Sequence, residues 1–493
     1  MQQNKVGEVK LFRQLGHFSL ALVLCISTLD AGSFADFKRS QSESFAKYQD
    51  ERDSAFNNYL KEQFQAYKAQ PEMPLYEKPK PKTITPARQQ KTKPVGPKIS
   101  ITIPKVVQVE AKQIDKPVIE KKIEQEMPVK QKDISLDFYG SNIGFNIPSK
   151  IKDANFYPQN QKGIGSFFSS AASSEYSNLI QDIKDVTNSM KLNDWGVYQL
   201  VLQISNKVYK NQDNSRLLSW FIFNKLGYAV KIGLVKKHVV LMHYSKKTIY
   251  STPNYNFDNR KYYVIADYSK ESTGRLFSYK QDYPGSTKPL DLSLETLPQL
   301  PSDMNSKTLE FSQFGNKYKV EFEYNKNLID FMGTYPQADY ETFFNTPLDG
   351  ITYHSIASAL KKEIDGKKAS EAMNFVLSFV QKSFKYELDN IQFGREKVMF
   401  AQETLYYDKS DCEDRAVLYA YLIKELFHIP VVGVKYKDHM ATALYVPMEG
   451  DSVKKGRRKF VIADPTYINA NIGMSMPKYK SIKPVSYIVV KSN

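Results

Sequence analysis

Ser410–Pro430 reads "SDCEDRAVLYAYLIKELFHIP": a cysteine among carboxylates at the head of an apolar, helix-patterned run. A thiol attacks carbonyl carbon only as thiolate, and a free cysteine titrates at about 8.5. A helix N-terminus, a nearby imidazole and a third group holding that imidazole together correct this. Cys412 starts the helical run, with Asp411 or Ser410 as its cap, so the helix dipole favours negative sulfur. His439 stands 27 residues on, in a strand pattern, and Asp464 25 residues further, ending the next strand pattern. A central helix packed on an antiparallel sheet can bring all three to one place. In a regular helix Glu413 and Asp414 point about 100° and 200° away from Cys412. The expectation is that they serve the helix start or pair with Arg415, and that the imidazole does most of the activating.

Each residue also has a plainer reading. A lone cysteine on an apolar helix is usually a small core residue, "KDH" before Met440 suits an exposed turn, and an aspartate before Pro465 suits a turn. The order of the three and the scarcity of sulfur favour chemistry. The only other cysteine, Cys25, lies in "FSLALVLCISTL", an apolar run behind Lys5, Lys10 and Arg13 and ahead of a small-x-small "SFA" at Ser33–Ala35. That pattern predicts an export signal over residues 1–35, too short for a comfortable membrane span. Cleavage near Ala35 leaves Cys412 as the sole thiol of an exported chain, unable to form an internal disulfide.

At 493 residues, 41% of them hydrophobic, the chain has material for several folded units. Residues 36–70 carry an eleven-residue repeat. Phe34, Phe45, Phe56 and Tyr67 form one aromatic row and Phe37, Tyr48 and Tyr59 another, on one face of a long helix. Such a helix either packs back on its own protein or self-associates. Residues 71–135 mix proline and lysine, and no acidic residue occurs between Lys78 and Val109. This predicts an extended, mobile linker able to touch anionic envelope polymers. The net charge of +16 brings no nucleic-acid motif with it, so nucleic acid is not an expected partner. The six histidines show no ligand spacing, and neither metal nor cofactor is expected.

Two later blocks match in order. Residues 136–300 and 351–493 each give a buried helix, a strand with "KIGLVKKH" or "VVGVKYKDH", and a strand reading "VIAD". Leu226 and Gly233 recur as Leu426 and Gly433, His238 as His439, and Val264–Asp267 as Val461–Asp464. Where the second block has "SDCEDR" the first has "NQDNSR", without a thiol. An internal duplication with a degenerate first copy follows. Residues 301–350 connect the copies through a β-hairpin turning at Gly315-Asn316.

The stretch "FVQKSFKYELDN…FGREKVMFAQETLYYDKSDCEDRAVLYAYLIKELF…DHMATALYV…VIADPTY" resembles the bacterial transglutaminase-like cysteine proteinases over Ile351–Tyr467. The resemblance implies an α+β, papain-like core, with Cys412 as nucleophile, His439 as general base and then acid, and Asp464 orienting His439. It implies cleavage of peptide or amide bonds in a protein or peptide substrate, or acyl transfer to an amine. A serine precedes Asp411 where the family commonly has glycine. The backbone N–H of Cys412 and a side chain within Gln402–Tyr407 are candidate oxyanion donors. The rival from another class is an inactive envelope-binding scaffold.

Overall fold

In the computed structural model, the described residues are 31–103, 132–265 and 275–491. Cys25, Asp267 and nearly all of the expected export signal lie outside them. The chain divides into two units, Met1–Asp53 and Ser54–Asn493. In the first, the described part is helical and belongs to the 32-residue helix Ala31–Glu62. Phe37 and Tyr48 of its second aromatic row are exposed.

The aromatic repeat does not run to residue 70 as one helix. The helix ends at Glu62, and Phe64–Lys68 is a strand paired antiparallel with Arg275–Tyr279. Tyr67 therefore leaves the aromatic row and meets Phe257, ring centroids 4.2 Å apart. Phe56 is buried against Phe168, Tyr279 and Tyr283, so this end of the repeat packs on its own protein. Edge-on aromatic contacts of this kind suit ring quadrupoles.

The second unit is mixed α+β with two larger antiparallel sheets. In the upstream sheet, helix Gln212–Lys225, capped by Asn211, precedes strands Val230–Val235, His238–Tyr244, Asn254–Phe257, Arg260–Tyr263 and Arg275–Tyr279. In the downstream sheet, helix Cys412–Phe427 precedes Val431–Lys435, Met440–Leu444, Ser452–Lys455, Arg458–Ala463 and Ser486–Val489. Numbering the five strands of each block in chain order, both sheets run fifth, first, second, fourth, third; Phe64–Lys68 extends the upstream one beyond its fifth strand. The topology thus repeats where the sequence motifs repeat. Each sheet is antiparallel throughout.

Both blocks bury their leading helix because its apolar residues go nearly all round. In Cys412–Phe427, thirteen of sixteen residues are buried. The helix packs on Val431–Lys435, on Met440–Leu444 and on helix Ala369–Lys382. It stops at His428, which takes a left-handed conformation (φ 52°, ψ 34°) ahead of Pro430. The hairpin between the blocks pairs Met304–Gln313 with Asn316–Asn325 and turns at Phe314-Gly315, one residue earlier than expected. Both turn residues have positive φ, 51° and 86°, which matches the twist of the strands they join.

Described residues 71–103 of the Pro/Lys-rich segment have almost no regular secondary structure, as their composition requires, but they are not a solvated linker. Leu75, Lys80, Ala87 and Ile101 are buried. The backbone is tied down by Ser251 N–H to Met73 O, Ala87 N–H to Ile468 O and Ile99 N–H to Lys367 O. Prolines forbid a ladder, yet isolated N–H groups and single buried side chains still dock an extended chain.

Candidate active site

Cys412 is the first residue of its helix, and Asp411 is the extended cap before it (φ −111°, ψ −152°). The Asp411 N–H donates to Asp414 Oδ2 (3.1 Å), and Asp414 Oδ1 accepts from Met399 N–H (2.8 Å). Asp414 thereby fixes the helix start from inside. Arg415 is fully buried and donates to Ser410 Oγ, Gln381 O and Phe384 O. These bonds anchor the first turn to the end of helix Ala369–Lys382.

His439 immediately precedes strand Met440–Leu444, and Asp464 immediately follows Arg458–Ala463. The two strands pair with Thr442 opposite Ala463. This register brings the imidazole to the carboxylate: His439 Nε2 lies 2.8 Å from Asp464 Oδ2, both groups buried. The other oxygen, Oδ1, accepts from the N–H groups of Thr466 and Tyr467 (2.9 and 3.2 Å). Asp464 is therefore both the turn residue and the imidazole's partner. The Tyr479 ring stacks on His439 at 4.8 Å, 17° from parallel. With Nε2–H donated to a carboxylate, Nδ1 is left as the lone-pair nitrogen. It is buried and has no hydrogen-bond partner.

The sulfur is bonded elsewhere. Cys412 Sγ donates to Glu413 Oε2 at 3.1 Å, and the Tyr76 hydroxyl lies 3.8 Å from it while donating to the same carboxylate oxygen at 3.0 Å. Glu413 thus does not point away from the thiol as a helical wheel implies. At the open end of a helix no preceding turn separates the first two side chains, so a carboxylate at the second position can fold back on the first. Burial pushes the thiol well up, and the charges of Glu413 and Asp411 push it further. In this arrangement Cys412 is a protonated, fully covered thiol.

The positive charge of the site comes from the Pro/Lys-rich segment. Lys80 Nζ reaches Asp411 Oδ2 (2.5 Å), Glu413 Oε1 (2.8 Å), Glu396 Oε2 (2.8 Å) and Asp389 Oδ2 (3.1 Å). Burial works against the ammonium, but Glu413, Asp411 and Asp389 outweigh it, and Lys80 stays charged. One cation does not hold every acid ionised. Burial and the neighbouring charges raise Asp389 to about 8, raise Asp414 to about 7 and push Asp411 well up. For Glu413, burial is outweighed by Lys80 and by bonds from Asp411 and Cys412, which bring it down to about 2. The cluster is thus a Lys80–Glu413 ion pair wrapped in acids that keep their protons to near neutrality.

Oxygens of Asp389, Asp411 and Asp414, and of Asp389, Glu396 and Glu413, lie within 4.8 Å of one another, a donor set suited to a hard cation. The Lys80 ammonium is the cation bonded to four of these five acids. Histidine spacing, the sequence test for metal, does not register such a set.

The candidate oxyanion donors fare differently. The side chain of Gln402 is spent on Asp349, donating to Oδ2 and accepting from its N–H (2.9 and 3.0 Å), and Thr404 donates to Phe400 O. The Tyr76 hydroxyl, 3.8 Å from the sulfur, comes from a segment the sequence marks as linker. In the upstream block the corresponding helix start places Asp213 Oδ2 3.2 Å from His238 Nδ1. No family model, curated protein or solved structure matches this chain.

Proposed function

We propose that the chain is an exported thiol enzyme of papain- and transglutaminase-like architecture, cleaving peptide or amide bonds through Cys412, His439 and Asp464. One observation carries this reading: a buried imidazole held by Asp464 through Nε2, with Nδ1 unspent, on the sheet against which the Cys412 helix packs. The upstream block supports it, because there the same topology puts a first-turn side chain in hydrogen-bond contact with the histidine that opens the second strand.

His439 Nδ1 takes the thiol proton as sulfur attacks the carbonyl carbon. The tetrahedral intermediate collapses with breakage of the C–N bond, and the amine leaves with the proton from Nδ1. Water, losing a proton to the same nitrogen, then breaks the thioester and restores the thiol. Asp464 keeps the imidazole in the tautomer this needs. The start of a sixteen-residue helix favours the thiolate once the carboxylates above it are matched or displaced.

A second reading, acyl transfer to a lysine, is favoured by Lys80, whose ammonium shares the Glu413 carboxylate with the thiol. Mass spectrometry of envelope proteins from cells carrying wild type or Cys412→Ala tests both. New termini mark hydrolysis and isopeptide links mark transfer. Identical protein profiles retire both in favour of a scaffold.

A further inference from the structure

Residues Leu75–Pro81, "LYEKPKP", cross the helix start of the site and meet it on several sides. On one side Lys435 Nζ donates to Leu75 O (2.8 Å), and Lys78 N–H donates to the carbonyl of Lys437, two residues before His439 (3.1 Å). On the other, the Tyr386 hydroxyl donates to Pro81 O (2.7 Å). Between these ties Tyr76 covers the sulfur and Lys80 fills the acid-lined pocket. That pocket still holds a buried, unpartnered oxygen, Asp411 Oδ1. Main-chain bonds along an extended peptide with one side chain read in a charged pocket is how a groove binds polypeptide.

We infer that Leu75–Pro81 is a built-in pseudosubstrate: it lies where an extended polypeptide substrate lies, and the pocket of Asp389, Glu396, Asp411 and Glu413 selects a lysine or arginine of that substrate. This rests on Cys412 being the nucleophile, as proposed above. The pocket needs a cation because Glu413 cannot stay buried and ionised alone. In the chain itself Lys80 supplies it, and an incoming basic residue takes over when the strap leaves. Neither Lys78 nor Lys80 offers an ordinary tryptic bond, since Pro79 and Pro81 follow them. The exposed Lys82 and Arg88 do, so the strap can be nicked just beyond the pocket.

The test is alkylation of Cys412 by iodoacetamide in the full chain, wild type against Lys80→Ala. Loss of the ammonium is expected to release the strap, Tyr76 included, and to speed labelling about tenfold or more, because uncovering the sulfur outweighs the loss of a cation that lowers the thiol's pKa. The added peptide acetyl-LYEKPKP-amide should slow it again, whereas the same peptide with norleucine for the lysine of Lys80 should not. If Lys80→Ala does not fold, Leu75→Ala with Tyr76→Ala loosens the strap while leaving the ammonium in the chain, and serves for the labelling comparison. Unchanged labelling in a folded variant, or equal protection by both peptides, overturns the inference. Faster labelling with no turnover of any peptide would retire the peptidase reading and with it the pseudosubstrate role, leaving Leu75–Pro81 as a cover over the thiol. Equal turnover by wild type and the strap variants would retire the pseudosubstrate role and leave the peptidase reading standing.

Discussion

The upstream and downstream blocks share a strand order and a capped helix that leads into it, yet among the described residues their histidines have different surroundings. Upstream, Asp213 accepts from the Val239 N–H and lies against an exposed His238. Downstream, the corresponding histidine is fully buried, its Nε2 engaged by a carboxylate and its ring stacked by a tyrosine. Upstream, the topology brings the helix start to the strand start; downstream, the helix start is bonded to Tyr76 and Lys80 and the histidine to Asp464. The imidazole's partner, Asp464, lies within the repeated motif, whereas the stacking ring and the cover over the helix start come from residues outside it: Tyr479, Tyr76 and Lys80. Gln381 donates to Asp464 O and Ala470 O, fixing the turn that carries the carboxylate.

The sharpest way to break this comparison is to exchange the roles of the two histidines. His439→Ala should lower peptide turnover by about 10³-fold or more, and Cys412→Ala should remove it, as for other residues that act as a unit. His238→Ala should leave turnover within about twofold and stability within about 0.5 kcal/mol, as for an exposed side chain. Steady-state assays with urea unfolding read both. Loss of activity from the upstream substitution would mean that the first block is not catalytically degenerate.

The two arginines give the next largest contrast. Arg415 is buried and satisfies two carbonyls and the Ser410 hydroxyl, so Arg415→Met should cost about 3 kcal/mol or more through the acceptors it strands. Arg216 is partly exposed and makes longer bonds, 3.4 Å to Asp213 Oδ1 and 3.2 Å to Val239 O. Arg216→Met should cost about 1 kcal/mol or less. Chemical denaturation of both variants measures the difference.

What the sequence reveals follows the same division. The Cys412 helix is legible to its last residue because a cap, an apolar run and a breaker all announce themselves locally. The hairpin and the paired strands are legible because alternation survives in one dimension. The His439–Asp464 pair needed the order of motifs as well. The cover was hidden. A Pro/Lys-rich segment has the composition of a solvated linker, and only the carboxylates of the chain's other end, 309 residues or more from Lys80, make burial of its lysine favourable. The direction of Glu413 was hidden for a smaller reason, since periodicity describes the middle of a helix and not its first turn.

Asp389 and Asp414 downstream and His243 upstream should also respond to pH in opposite senses. Downstream, Asp389 and Asp414 hold protons up to about 8 and about 7, whereas in the unfolded chain they titrate near 4. The folded state binds more protons at these two groups between these limits, so their contribution to stability is full below about pH 4 and is lost as pH rises toward 8. Asp389→Asn should flatten that decline, seen as a smaller fall in melting temperature between pH 5 and 8.

Upstream, burial lowers His243 to about 3. Its two ring nitrogens are buried without partners, and its ring packs edge-on to Phe223 at 4.6 Å. The unfolded chain takes up a proton near pH 6.5 that the folded one refuses, so His243 contributes fully above that value and its contribution is lost as pH falls toward 3. His243→Leu replaces two unsatisfied polar atoms with an apolar side chain of similar bulk. It should change stability by less than about 1 kcal/mol at pH 8 and raise it, relative to wild type, by about 1–2 kcal/mol at pH 5. Urea midpoints at the two pH values decide the matter. A variant that loses stability equally at both would mean that the imidazole makes a polar contact its surroundings do not reveal, and the contrast between a histidine kept for packing and one held by a carboxylate would fail.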